Sequence, residues 1–290
     1  MSKEQKAIRA SYFSIIGNFI LAIIKWLAGY FGNSYALIAD AIESTTDIVA
    51  SILVLIGLKV SIRPADENHP YGHGRIEPLI TFIVVGFLMF SAAIIAYESI
   101  DNIRTPHELP EKWTLFVLVG IILWKEISYQ YVVRKSDETK SSSLKADAWH
   151  HRSDAITSVT AFIGISIALI FGEGYETADD WAALIAAAFI LYNSYRIFRP
   201  ALGEIMDENL NEDLILKVRI IAKSVDGVID TEKCFARKTG LKYFVDLHII
   251  VEPNISVKNG HEIAHKLQDK LKLDLPELEN VLIHVEPKEF

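Results

Sequence analysis

The 290-residue chain contains one cysteine, Cys234. No disulfide can close within it, and no cluster of thiolates can hold a metal. Any metal site must therefore be built from His, Asp and Glu. Positive charge is also scarce: 29 Lys and Arg stand against 37 Asp and Glu, a formal net charge of −8. Nucleic-acid binding relies on clustered basic residues, so this balance argues against nucleic acid as the main partner. The HExxH pattern of zinc hydrolases is missing. So is a secretory signal: the apolar stretch after Met1 to Arg9 is too long for one, and no small-residue cleavage site follows it. Internal repeats and low-complexity segments are missing as well.

Apolar residues are abundant, at 51% of the chain. A helix needs roughly 20 mostly apolar residues to cross the hydrocarbon core. Six such spans can be marked, at about 11–31, 34–61, 79–100, 113–133, 144–171 and 178–198. The second and fifth carry charged residues and score lowest on a hydropathy window. Lys3, Lys6 and Arg9 precede the first span, Lys59, Arg63 and Arg75 lie at or beyond the end of the second, and Arg134, Lys135, Lys140 and Lys145 run from the end of the fourth to the start of the fifth. Apart from Arg104 and Lys112, the opposite loops are poor in positive charge. Positive charge marks the cytoplasmic side, so both chain ends are expected there.

After Pro200 the character changes. Residues 1–205 read as a transmembrane domain and 206–290 as a soluble one. Helical spacing of Leu214, Val218 and Ile221 predicts a helix over 213–224. Residues 228–237 read as a strand, and Gly240 marks a turn. A second strand over 242–251 puts Tyr243, Val245, Leu247, Ile249 and Val251 on one face. A helix over 257–273 and a strand through Val281, Ile283 and Val285 complete the order α-β-β-α-β, an open sheet with helices on one face.

Two matched pairs carry the chemistry. Glu43 and Asp47 lie in the second span, His150 and Asp154 in the fifth, each spaced i, i+4 on one helix face. An ionisable group near the bilayer centre costs about 2.5–3.5 kcal/mol on insertion scales, and a shared divalent cation would offset that cost. Two side chains from each helix would give the four ligands zinc prefers. The competing explanation is interhelical ion pairing or a headgroup location. Lys25 and Arg152 are the cations considered for it, but Arg152 points away from the His150–Asp154 face. Asp40 and Asp147 are read as accessory. A second cluster, Asp66, His69 and His73, follows the second span, with Gly72 and Gly74 allowing tight turns. A third group lies in the soluble region: His248 on one strand, His284 and Glu286 two apart on another, and His261 at the start of the helix between them.

These stretches resemble the cation diffusion facilitator family of divalent metal transporters. Gly32–Asp47 is similar to that family's second helix, Pro64–Glu77 to the following loop, and Ala146–Asp154 to its fifth helix. The tail matches through Arg237–Gly240, Val245–His248, Gly260–Glu262 and Ile283–Pro287. The resemblance implies a homodimeric six-helix metal exporter of the inner (plasma) membrane that exchanges its ion for protons. It implies a cytoplasmic metal-binding and dimerisation domain. By position, Glu43, Asp47, His150 and Asp154 would form the transport site, and Asp66, His69 and His73 a loop site. Glu232, His248, His261, His284 and Glu286 would form the cytoplasmic site, and Arg75 and Asp207 a charge interlock. Family members often carry Asp or His at the position of Glu43, and some carry an imidazole at Glu232. Both departures bear on which metal is handled.

Imidazole with carboxylates suits Zn²⁺, Fe²⁺, Co²⁺, Mn²⁺ or Cd²⁺ better than Mg²⁺ or Ca²⁺, with zinc favoured by the four-ligand count. The rival functions are a membrane-embedded metal-dependent hydrolase, a passive cation channel and a membrane metal sensor. A hydrolase would need a separate general base, and the two pairs leave none.

Overall fold

The computed structural model describes residues 3–31, 35–104, 114–171, 178–209 and 212–288. The chain divides into two compact units. One comprises residues 1–63 and 76–201, the other 64–75 and 202–290.

The first unit is helical. Its elements are α1 (Lys3–Phe31), α2 (Tyr35–Ser61), α3 (Ile76–Arg104), α4 (Thr114–Thr139), α5 (Ser142–Phe171) and α6, which begins at Ala178. Among the described residues, α1, α3 and α4 are long and apolar enough to cross a membrane by length and composition. α2 and α5 carry the paired ionisable residues. Small residues let these helices approach closely. A Cβ on Gly17 of α1 would lie 2.9 Å from the Trp124 ring of α4. Buried Ala7, Ala10, Val54, Leu58, Val84, Leu88, Ala146 and Ala148 form the apolar core at one end of this bundle. Glu77, fully buried at the start of α3, accepts hydrogen bonds from the hydroxyls of Ser141 and Ser143 and from the Ser143 N–H. It thereby caps the N-terminus of α5, where unpaired N–H groups and the helix dipole favour a carboxylate.

The helix α6 runs on past Pro200 to Ile205, beyond the point where the sequence changes character. It ends in a left-handed turn: Asp207 has φ +55°, and the Glu208 N–H reaches back to the Gly203 carbonyl at 2.8 Å, a common helix closure.

The second unit holds α7 (Glu212–Lys223), β1 (Asp230–Thr239), β2 (Lys242–Val251), α8 (Val257–Asp274) and β3 (Leu278–Pro287). The predicted order α-β-β-α-β is the one observed. Sheet order is β1-β2-β3, with β1–β2 antiparallel and β2–β3 parallel. The parallel pair needs a crossover, and α8 supplies it. Ser256 caps α8 by accepting from the Asn259 N–H at 3.1 Å, as short hydroxyl side chains do. The strict alternation of β2 buries Val245, Leu247, Ile249 and Val251 against Leu214 and Val218 of α7 and Leu267 and Leu271 of α8. Both helices therefore cover one sheet face, and His248 belongs to the other.

The loop 64–75 packs within this second unit. A Cβ on Gly74 would meet the Thr239 backbone at 2.7 Å, and Gly240, at φ +62°, makes the β1–β2 turn against it. Gly74 lies in a turn and also allows this close packing. Gly72 has φ +78°.

Candidate metal centre

Within the helical unit, ligand atoms of Asp47, His150 and Asp154 all lie within 4.8 Å of one another. His150 Nε2 is 2.6 Å from Asp47 Oδ1 and 3.9 Å from Asp154 Oδ2. Asp47 and His150 are buried. The i, i+4 spacing stacks His150 over Asp154 on one face of α5, and that face meets Asp47 on α2. Glu43 and Asp40 lie on α2, but their side chains fall outside the described residues.

A cation stands in this cluster that the sequence reading passed over. Lys125 of α4, 1% exposed, places Nζ 2.9 Å from Asp47 Oδ2 and 2.7 Å from Asp154 Oδ2. The ion pairing set against the metal reading therefore exists among the described residues, and Lys125 supplies it at Asp47 and Asp154. Lys25 donates to Ser44 at 2.8 Å. Arg152 pairs with Glu126 and lies 4.7 Å from the Tyr129 ring centre, so it does face away. The missed signal was a lysine in the middle of the fourth apolar span, which deserved the same suspicion as the charges of α2 and α5.

A buried polar chain continues from the cluster. Lys125 Nζ is 3.4 Å from Asn18 Oδ1, Asn18 Nδ2 donates to Ser51 at 3.2 Å, and Ser51 donates to Asp147 at 3.0 Å. Ser14 joins Ser51 at 3.2 Å and His151 Nε2 at 2.6 Å. Buried polar groups need partners of this kind, and Asp147 has one in Ser51. His150 Nδ1 is enclosed with no hydrogen-bond partner among the described residues.

In the second unit Asp66, His69 and His73 form a group of the same size, mostly exposed. Asp66 Oδ1 accepts from the N–H groups of Asn68 and His69 at 3.0 and 2.7 Å. The His69 backbone bond is the main reason its carboxyl is held below the usual carboxylate range. His69 Nδ1 lies 3.0 Å and His73 Nε2 3.4 Å from the same carboxylate.

The third group is His248, His284 and Glu286. β2 and β3 register His248 directly against His284, with ring centres 4.8 Å apart. His248 Nδ1 is 2.5 Å and His284 Nε2 3.7 Å from Glu286 Oε1. The pairing of β1 with β2 slips between Thr231 and Cys234, so Glu232 and Lys233 together oppose His248. Such bulges re-aim side chains. Here Glu232 reaches Glu286, and its hydrogen bond, followed by that of His248, holds the Glu286 carboxyl below its usual range. His261 is not in this group. It stands on α8, the layer behind the sheet, with its ring centre 4.3 Å from that of His265. The expected charge interlock is formed within the second unit: Arg75 Nη2 lies 2.5 Å from Asp207 Oδ1, and Nη1 donates to the Ile205 carbonyl at 3.0 Å.

The cation efflux transmembrane domain matches residues 11–206, and the cation efflux protein cytoplasmic domain matches 210–288. The chain belongs to the cation diffusion facilitator family. Members of this family are integral membrane proteins that carry divalent metal cations out, and they are transporters rather than enzymes. The manganese efflux system protein MneP of Bacillus subtilis is 31% identical over 289 residues, covering 98% of this chain and 97% of its own. An uncharacterised transporter of Methanocaldococcus jannaschii is 34% identical over 275 residues, covering 94% and 95%. Metal tolerance protein C1 of Arabidopsis thaliana is 29% identical over 283 residues, covering 92% of this chain and 59% of that protein.

Proposed function

We propose that the chain exports a divalent transition-metal ion, Zn²⁺ first, in exchange for protons, and that Asp47, His150 and Asp154, with Glu43, hold the ion in transit. The observation that carries this reading is the meeting of two carboxylates and an imidazole from α2 and α5 in the buried interior of the helical unit. Carboxylates brought together in a poorly solvated place disfavour being charged at once. Loss of the metal leaves more negative charge there than the Lys125 ammonium alone offsets, which favours uptake of protons at the same site, and metal and protons compete. With alternating access, that competition is antiport.

In this reading the protein is a homodimer of the inner (plasma) membrane, with both termini and the 206–290 region cytoplasmic. The His248–His284–Glu286 and Asp66–His69–His73 groups bind metal as regulatory sites. His261 would serve only at a separate position on α8. A second reading takes Mn²⁺ as the cargo. It is favoured by the name of the Bacillus relative and by a ligand set in which oxygen outnumbers nitrogen.

The test is flux in proteoliposomes holding a pH gradient. Zn²⁺ movement should follow the gradient and stop when an uncoupler collapses it. Movement that ignores the collapse contradicts antiport, and rates far above those of a carrier support a channel instead. Competition of Mn²⁺ against Zn²⁺ in the same vesicles decides the cargo.

A further inference from the structure

We propose that the Lys125 ammonium and the transported cation compete for the same two carboxylates, so that this side chain sets how tightly the ion is held and how readily it leaves. The inference rests on the reading of Asp47, His150 and Asp154 as the transport site.

The geometry is specific. Nζ lies within hydrogen-bond reach of one oxygen from Asp47 and one from Asp154, at 2.9 and 2.7 Å. A Zn²⁺ ligated by those carboxylates sits about 2.0–2.2 Å from each ligating oxygen. An ammonium and a dication cannot both occupy so small a volume at low cost, because their repulsion is poorly screened away from water. One must withdraw, and lysine is built for it: a compact charge on a flexible four-carbon stem. Its retreat has an acceptor in place, since Asn18 Oδ1 is 3.4 Å from Nζ and is itself fixed through Ser51. The lysine thus balances the carboxylates before the ion arrives and offers a replacement cation as the ion departs. A carrier that bound its ion by these carboxylates without such a competitor would hold it more tightly and release it more slowly.

The test uses the full-length protein in proteoliposomes, with initial Zn²⁺ flux measured against Zn²⁺ concentration. Wild type is compared with Lys125→Met, Lys125→Gln, Lys125→Arg and, as reference, Asp47→Ala. Lys125→Met should lower KM by about tenfold, equivalent to ~1.4 kcal/mol, and lower Vmax at the same time. Lys125→Arg, which keeps the charge, should leave KM at or above wild type. A loss of packing alone would not tighten the ion. In melting experiments the Met and Gln variants should be less stable than wild type in chelator and should show a larger Zn²⁺-induced rise in Tm. If Lys125→Met is recovered only with Zn²⁺ present, that same dependence is the expected result, and Lys125→Gln supplies the kinetics. An unchanged or raised KM, with no larger Zn²⁺-induced shift, overturns the proposal. Asp47→Ala separates the two levels: if it keeps wild-type KM and Vmax, the transport-site reading itself fails. If it abolishes flux while Lys125→Met is kinetically silent, only the competition fails.

Discussion

The helical unit and the α/β unit each gather two kinds of ligand, carboxylate and imidazole, yet they set them in opposite surroundings. Asp47 and His150 are enclosed, Asp154 beside them is 23% exposed at its side chain, and the two carboxylates share a lysine that is 1% exposed. His248, His284 and Glu286 lie on the sheet face away from α7 and α8, where His284 is 62% exposed at its side chain and His248 and Glu286 are half-buried. In the first setting each charge must be matched by another, because burial without a partner is costly. In the second, water does much of the matching, and a bound ion changes little beyond the ligands it gathers. The same residue types therefore suit passage in one unit and reversible binding in the other.

Substitution should break this contrast most sharply at the ligands. Asp47→Ala or Asp154→Ala should reduce Zn²⁺ flux in proteoliposomes to that of empty vesicles. Glu286→Ala should leave flux measurable while weakening Zn²⁺ binding to the α/β unit, read by equilibrium dialysis. If the two substitutions had equal effects on flux, the division of labour would be wrong.

The next largest effect concerns a buried ion pair without imidazole. Lys238 Nζ is 2.7 Å from Glu204 Oε1, with both side chains under a tenth exposed. This pair is structural in the present account. Lys238→Met should destabilise the second unit by about 3–5 kcal/mol, the usual cost of stranding one buried charge, measured by chemical denaturation. Flux per folded molecule should be retained, unlike that of the Lys125 variants.

Gly74 gives a smaller effect. An added Cβ would press on the Thr239 backbone, so Gly74→Ala should cost about 1–3 kcal/mol and displace the loop that carries Asp66, His69 and His73. Smallest of all is Asp230. The Lys223 ammonium and the Thr231 N–H hold its carboxyl below the usual range. Its contribution is present above the ordinary carboxylate pKa and is lost as pH falls through the lowered folded value. Asp230→Asn should slightly lower Tm at neutral pH and narrow the gap from wild type in acid.

Much of this was legible in the sequence. Period-two alternation gave β2 its buried face, and the spacing of Leu214 and Val218 placed α7. The i, i+4 pairs located the buried cluster because a helix stacks such residues whatever lies around it. Lys125 escaped because its span stays apolar on average despite Lys125 and Glu126, and nothing local to α4 reveals which neighbour the lysine faces. The packing of loop 64–75 in the second unit depends on a missing Cβ at Gly74 meeting Thr239, a contact between residues far apart in the chain. His261 could not be separated from His248 until the sheet was known to place α8 on the face opposite to the imidazole of β2.

The most direct measurement is anomalous diffraction from crystals of the full chain grown with Zn²⁺ or Mn²⁺. The account predicts a peak about 2.0–2.2 Å from atoms of Asp47, His150 and Asp154, with Lys125 Nζ drawn away from both carboxylates. Peaks confined to the exposed histidine groups, with Lys125 still joined to Asp47 and Asp154 at saturating metal, would contradict it.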